Sequence, residues 1–205
     1  MTNMFRAACL ALTIALIGCS QPYKFHGTLL TPPLKTSDFV LTNQDGQSFQ
    51  LNDLRGKWTL LFFGYTFCPD ACPLTLAHFR QIRNALGASD ATQVQFVLIT
   101  VDPRRDSPTR LKEYLAQFDV TFIGLTGNQD SLALVYRSYG VSVEKILADE
   151  NSAAQNHSHD DVTALFAHTS AIYLLDTSGQ VRLIYTAVPW QDVAEDVRHL
   201  LAARS

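Results

Sequence analysis

Hydrophobic residues recur along this chain in two rhythms. Trp58–Tyr65 and Val94–Val101 are unbroken apolar runs rich in aromatic and β-branched side chains, the pattern of strands buried on both faces. Between them Leu74, Ala77, Ile82 and Leu86 return at helical spacing behind Pro73, which predicts a helix from Pro73 to about Leu86 with the proline in its first turn. Ser107-Pro108 opens a further helix as cap and first residue, carrying Leu111, Tyr114, Leu115 and Phe118 on one side. Thr121–Leu125 reads as a short strand. Gln129 to about Tyr139 reads as a helix stopped by Gly140, and Val141–Ile146 as extended chain.

Turn signals organise the remainder. Phe39-Val40-Leu41 and Phe49-Gln50-Leu51 flank Asn43-Gln44-Asp45-Gly46, predicting a small hairpin near the N-terminus. Asp149 to about Ala164 is polar and reads as a surface loop. Thr169–Leu175 and Val181–Tyr185 enclose the turn Asp176–Gln180, a second hairpin, and Trp190 to about Ala203 closes the chain as an amphipathic helix. Strand–helix–strand–helix followed by hairpin–helix is the thioredoxin-like order. The expected architecture is α/β: a central mixed sheet flanked by helices, with an N-terminal β-hairpin.

The leading segment follows neither rhythm. Arg6 is the only charged residue before Lys24, and the apolar run Ala7–Ile17 behind it suits a signal-peptide core while being too short to span a bilayer. Leu16-Ile17-Gly18-Cys19-Ser20 resembles a bacterial lipobox, in which the cysteine is lipidated and the peptide is cut before it. The chain then divides into a signal peptide, residues 1–18; a lipidated tether, residues 19–37, containing Pro22, Pro32 and Pro33; and a folded domain, residues 38–205. This organisation implies the periplasmic side of a bacterial membrane. Composition agrees with one packed domain, at 47% hydrophobic and 17% charged residues. The net charge of −3, from 16 basic and 19 acidic residues, offers no cationic excess for phosphates and argues against nucleic-acid partners.

Beyond Cys19 the chain keeps two cysteines, Cys68 and Cys72, and no methionine. Their spacing at a strand-to-helix junction puts the Cα atoms about 6 Å apart on a helical rise. That suits a disulfide and equally suits two thiolates on one metal, and a helix N-terminus favours thiolate. Thiolates select Cu(I), Zn(II) or iron–sulfur clusters. Clusters usually require four cysteines, and structural zinc requires four ligands. Two thiolates and one imidazole make a three-coordinate set that Cu(I) accepts. The absent methionine argues against a blue-copper or binuclear electron-transfer centre.

Among the histidines, His168 precedes the strand Thr169–Leu175, where a thioredoxin carries a cis-proline beside its cysteines and this chain has none. His26, His78 and His199 read as solvated surface. His157 and His159 form a His-x-His that is an auxiliary candidate for metal contact. Asp102, ending the second core strand, either orients a ligand at the same edge or simply belongs to a turn before a helix cap. The competing chemistry is thiol–disulfide exchange, with Cys68 attacking a partner disulfide and Cys72 resolving it.

The loop Gly64-Tyr65-Thr66-Phe67-Cys68-Pro69-Asp70-Ala71-Cys72-Pro73 resembles the Sco/SenC family of copper-binding assembly proteins for cytochrome c oxidase. So do Asp102-Pro103-x-Arg105-Asp106-Ser107-Pro108, Phe122-Ile123-Gly124-Leu125-Thr126-Gly127, and His168 before Ser170-Ala171-Ile172-Tyr173-Leu174. The likeness covers about Asp38 to Ala203. It implies a thioredoxin-like fold, with Cys68, Cys72 and His168 as ligands of copper, as Cu(I) or Cu(II). It also implies delivery of that copper to the binuclear site of oxidase subunit II or a related copper protein, and contact with other copper carriers or thiol-redox proteins. A classical enzyme is not expected. Ala167 departs from the family, whose members often carry an acidic or polar residue there, and the His157/His159 loop is an elaboration.

Overall fold

The two apolar runs become neighbouring strands at the centre of a sheet. The structure, a computed structural model, describes residues 22–146, 165–168 and 170–203. In chain order the strands are β1 (Thr28–Leu34), β2 (Val40–Asn43), β3 (Ser48–Gln50), β4 (Trp58–Gly64), β5 (Val94–Thr100), β6 (Ile123–Thr126), β7 (Val143–Ile146), β8 (Leu165–His168), β9 (Ile172–Leu175) and β10 (Val181–Tyr185). The helices are α1 (Ala71–Ala91), α2 (Pro108–Ala116), α3 (Gln129–Tyr139) and α4 (Trp190–Ala202). Eight strands form one mixed sheet in the order β1-β10-β9-β4-β5-β6-β2-β3, and β7 pairs with β8 separately. This is the expected α/β architecture, hairpin β2–β3 included.

β4 and β5 run parallel, from Trp58 opposite Val94 to Gly64 opposite Thr100. All seven β4 residues are buried because helices cover both faces of the sheet. Successive side chains of a strand point to opposite faces. Phe62 accordingly meets Phe79 of α1, in a cluster with Phe96 and Phe122. Phe63 meets Tyr136 and Tyr139 of α3, and Tyr173. A Cβ on Gly124 in β6 would lie 2.8 Å from the Leu115 side chain, so glycine there lets α2 approach the sheet closely.

Local signals behave as their chemistry requires. Ser107 Oγ accepts the Arg110 N–H at 3.2 Å and caps α2. Asn128 does the same for Ser131 at the start of α3. Gly140 ends α3 at φ +67°, a conformation that costs glycine little.

The structure differs from the sequence reading in three places. Residues Thr28–Leu34, read as tether from their prolines, form an edge strand antiparallel to β10; an edge tolerates Pro32 and Pro33, whose missing N–H groups need not serve a ladder. The strand predicted over Thr169–Leu175 starts only at Ile172, and His168, read as preceding it, instead ends a separate strand, β8, that the sequence reading did not include. α1 begins two residues before Pro73 and includes Cys72. The polar stretch 149–164 lies outside the described residues.

Because β4 and β5 are parallel, their C-terminal ends share one edge of the sheet, where ligands of open α/β folds gather. β9 runs antiparallel to β4, with Ile172 opposite Phe62. The chain entering β9 therefore arrives at that edge too.

Candidate metal centre

Gly64 ends β4, and its carbonyl accepts the Val101 N–H at 2.8 Å. The loop that follows is held from below by one carboxylate. Asp106 is fully buried and accepts from Thr66 N–H at 3.1 Å, Thr66 Oγ1 at 2.7 Å and Thr100 Oγ1 at 2.6 Å. Both hydroxyl oxygens accept elsewhere, from Arg110 Nε and from Asp102 N–H. Their protons are therefore left to point at Asp106. Burial pushes the Asp106 carboxyl above the ordinary carboxylate range, against the pull of these three donors.

The cysteines sit on top of this brace. Cys68 lies in the loop and is partly exposed, whereas Cys72, in the first turn of α1, is buried, and no disulfide joins them. The Cys72 N–H, one of the helix-end donors with no partner within the helix, donates to Cys68 Sγ at 3.4 Å. Burial pushes the Cys72 thiol far above its ordinary value, and neighbouring Cys68 adds to the rise. A Cβ on Gly64 would stand 2.8 Å from Cys72 Sγ and 2.7 Å from the Phe62 ring; only glycine leaves room for that sulfur. Tyr114 of α2 is buried nearby. Its hydroxyl has no hydrogen-bond partner among the described residues, and burial, then the charges of Cys72 and Cys68, raise its pKa.

The hairpin β7–β8 docks against the same loop. Phe166 donates its N–H to Tyr65 Oη at 3.2 Å, and the two rings meet edge to face at 5.4 Å. The Arg105 guanidinium lies 4.8 Å from the Phe67 ring centroid and 5.9 Å from those of Tyr65 and Phe166, held by an ion pair with buried Asp102. Residues 65–68, 102–106 and Phe166, far apart in sequence, thus converge at one edge. Beside them a pocket of about 410 Å³ opens between Asp102, Arg105, Tyr136 and Phe166.

Each sequence candidate can now be located. Cys68 and Cys72 are adjacent. His168 is the last residue of β8, with its backbone opposite Val143 and two positions beyond docked Phe166; its side chain lies outside what the structure describes, as do Cys19, His157 and His159. Asp102 is at the cysteine edge, but its carboxylate is engaged by Arg105. His26 and His199 lie by α4, and His78 is half-buried on α1. Among the described residues no three His, Cys, Asp or Glu side chains form a metal-holding group. The sequence reading missed the brace of Thr66, Thr100 and Asp106, and the role of Tyr65. A buried acid directly before a helix cap looks like an ordinary helix preface. The signal available was a threonine ending each core strand or opening its loop.

Chemically, two sulfurs at a loop-to-helix junction, one partly exposed and one buried, form a soft site that a single further donor would close. No helix among the described residues is long and apolar enough to cross a membrane. Residues 28–202 match the family model described as SCO1/SenC. A SCO2-like protein of Rickettsia felis is 36% identical over 143 residues, covering 70% of this chain and 65% of that protein. The chain spans about six-tenths of the length of the curated relatives it matches first. The structure of Bradyrhizobium japonicum ScoI with copper bound superposes with a TM-score of 0.69 at 34% identity, covering 80% of this chain and 98% of that one. A SCO1/SenC family lipoprotein of Bacillus anthracis superposes with a TM-score of 0.65 at 28% identity, covering 84% and 99%. With the family model matched across nearly the whole described fold, including the cysteine loop and the strand that carries His168, this chain belongs to the SCO1/SenC family.

Proposed function

We propose that this protein is a membrane-tethered copper chaperone. Cys68 and Cys72 supply two thiolates and His168 one imidazole to a three-coordinate Cu(I), which is passed to the binuclear copper site of cytochrome c oxidase subunit II or a related copper protein. The observation that supports the reading is the docking of β8 on the cysteine loop through Phe166 and Tyr65, since His168 ends that strand two positions further on. The copper-bound family structure supports the choice of metal, and the lipoprotein relative supports lipidation at Cys19. A three-coordinate centre with one partly exposed sulfur suits transfer, since an acceptor thiolate can enter before a donor leaves. Asp102 acts through Arg105, shaping the rim of the site.

A competing-chelator titration of the reduced domain with Cu(I) tests this. One copper per chain is expected. Cys68→Ser or Cys72→Ser abolishes tight binding, and His168→Ala weakens it by about tenfold to a hundredfold or more, at least the effect of disturbing a ligand's outer shell. Unchanged affinity in His168→Ala ends the three-ligand reading.

The asymmetry of the cysteines favours a second activity at the same site. Partly exposed Cys68 would attack a partner disulfide, and Cys72 would displace the partner's thiol, leaving the partner reduced and the Cys68–Cys72 pair oxidised. Reduction of a target's cysteines would then precede loading.

A further inference from the structure

Three buried tyrosine hydroxyls have no hydrogen-bond partner among the described residues: Tyr114, Tyr139 and Tyr185. Thr36 stands beside Tyr139 and Asp196 beside Tyr185. The charges that bear on Tyr114 are those of Cys72 first, then Cys68 and Asp106. Asp106 is already taken by Thr66 and Thr100. Tyr114 is 7% exposed and its hydroxyl is buried, and a buried phenol normally finds a partner.

The register of the sheet shows why this hydroxyl faces the sulfurs. A Cβ on Gly64 would lie 2.8 Å from Cys72 Sγ and 3.2 Å from the Leu98 side chain. Leu98 stands opposite Gly124, and Leu111 and Leu115 of α2 pack over Gly124. Cys72 and α2 therefore lie on one face of the sheet. Arg83 of α1 pairs with Asp119, just beyond α2, at 3.5 Å, so the two helices are neighbours there. With Leu111 and Leu115 turned to the sheet, Arg110 and Tyr114, one turn apart, form the adjoining stripe. Arg110 marks where that stripe points. Its Nε donates to Thr66 Oγ1 at 3.1 Å, and its guanidinium lies 5.0 Å from the Phe67 ring centroid and 6.0 Å from that of Tyr114. Phe118 meets the Tyr114 ring edge-on at 5.5 Å.

We propose that Tyr114 is a positioning residue of the copper centre, its hydroxyl donating to the Cys72 thiolate once metal is bound. The inference rests on the proposed Cu(I) site and adds to it a group from α2. On loading, the metal forms a bond to Cys72 Sγ, the S–H bond breaks, and the proton leaves to solvent. Cys72 is 1% exposed, so its sulfur then carries negative charge out of reach of water, and protein donors must meet it. Tyr65 supplies one from its backbone. Tyr114 supplies another, already held in place by its packing. In the metal-free chain the same hydroxyl has nothing to donate to, so its benefit belongs to the loaded state.

Tyr114→Phe keeps the ring and removes the hydroxyl. In urea unfolding of the reduced, metal-free chains, its midpoint should equal the wild type's or exceed it, because an unpaired buried polar group is gone. Its Cu(I) affinity, read by chelator competition, should fall about tenfold, the size expected for an outer partner of a metal ligand. A spectroscopic arm uses chains carrying carbon-13 at every tyrosine Cζ. The Tyr114 signal, identified by its absence from Tyr114→Phe, should move downfield on Cu(I) loading while those of Tyr139 and Tyr185 stay in place. A lower metal-free midpoint means that the hydroxyl already serves the fold, and it overturns the inference. Unchanged Cu(I) affinity or an unmoved Tyr114 signal does the same, and all three leave the three-ligand copper site standing. A wild type that binds no Cu(I) ends both.

Discussion

Gly64 is where side-chain size and metal chemistry meet. Alanine at this position would push on Cys72 Sγ and the Phe62 ring, both under 3 Å from the new methyl. Overpacking of this kind costs about 1–3 kcal/mol. Gly64→Ala is therefore expected to lower unfolding free energy by that amount in a denaturant titration and to weaken Cu(I) binding, whereas Gly46→Ala, where nothing lies within 4 Å of an added Cβ, leaves copper affinity unchanged. Asp106 makes a different prediction. Its carboxyl is raised in the folded chain by burial, so ionising it costs the fold free energy. Its contribution is then complete below the ordinary carboxylate range and is lost as pH climbs through the raised folded value. Asp106→Asn loses an acceptor for three donors and should be less stable by about 1–3 kcal/mol. The wild type's advantage over it should be largest in acid and shrink toward neutrality, measured by urea unfolding of both chains across that range.

Between residue and fold, the element on which the proposed three-ligand site depends is the pair β7–β8. Its described link to the cysteine loop is the Phe166 N–H on Tyr65 Oη together with the ring contacts around Arg105. Tyr65→Phe keeps the ring and removes the acceptor. It should leave both thiols titratable by a disulfide reagent while lowering Cu(I) affinity severalfold, an intermediate loss compared with His168→Ala. Elements built on local chemistry were legible beforehand: Ser107 and Pro108 announced α2, Gly140 ended α3, and the continuous run Trp58–Gly64 announced a doubly covered strand. The sulfur pair was legible too, since four-residue spacing across a helix start is itself local. What was hidden depends on distant partners. Pro32 and Pro33 read as tether because the strand that tolerates them, β10, lies about 150 residues away in sequence. The Thr66–Asp106–Thr100 brace exists only once two parallel strands are aligned. β8 is likewise invisible in the sequence, because it is defined by pairing with β7, about 20 residues earlier in the chain.

At the scale of the whole molecule, bound metal would join parts that the chain keeps separate: a helix start, a core-strand loop and an independent hairpin. A ligand that binds only the folded state stabilises it by about 2.7 kcal/mol at a hundred times its Kd. For a domain of this size that raises Tm by about 5–10 °C. Calorimetry of the reduced chain with and without Cu(I) should show this rise, and Cys68→Ser should not. The hairpin also sets an order of events in the metal-free chain. Among the described residues β7 and β8 pair only with each other, and two strands alone are marginally stable in water. Their amides should trade hydrogen for deuterium long before those of β4 and β5, whose release requires the entire domain to open. On the proposed ligand set, the His168 arm of the site would let go on its own clock while the sulfurs stay put, and such staged release would let metal leave an intact protein.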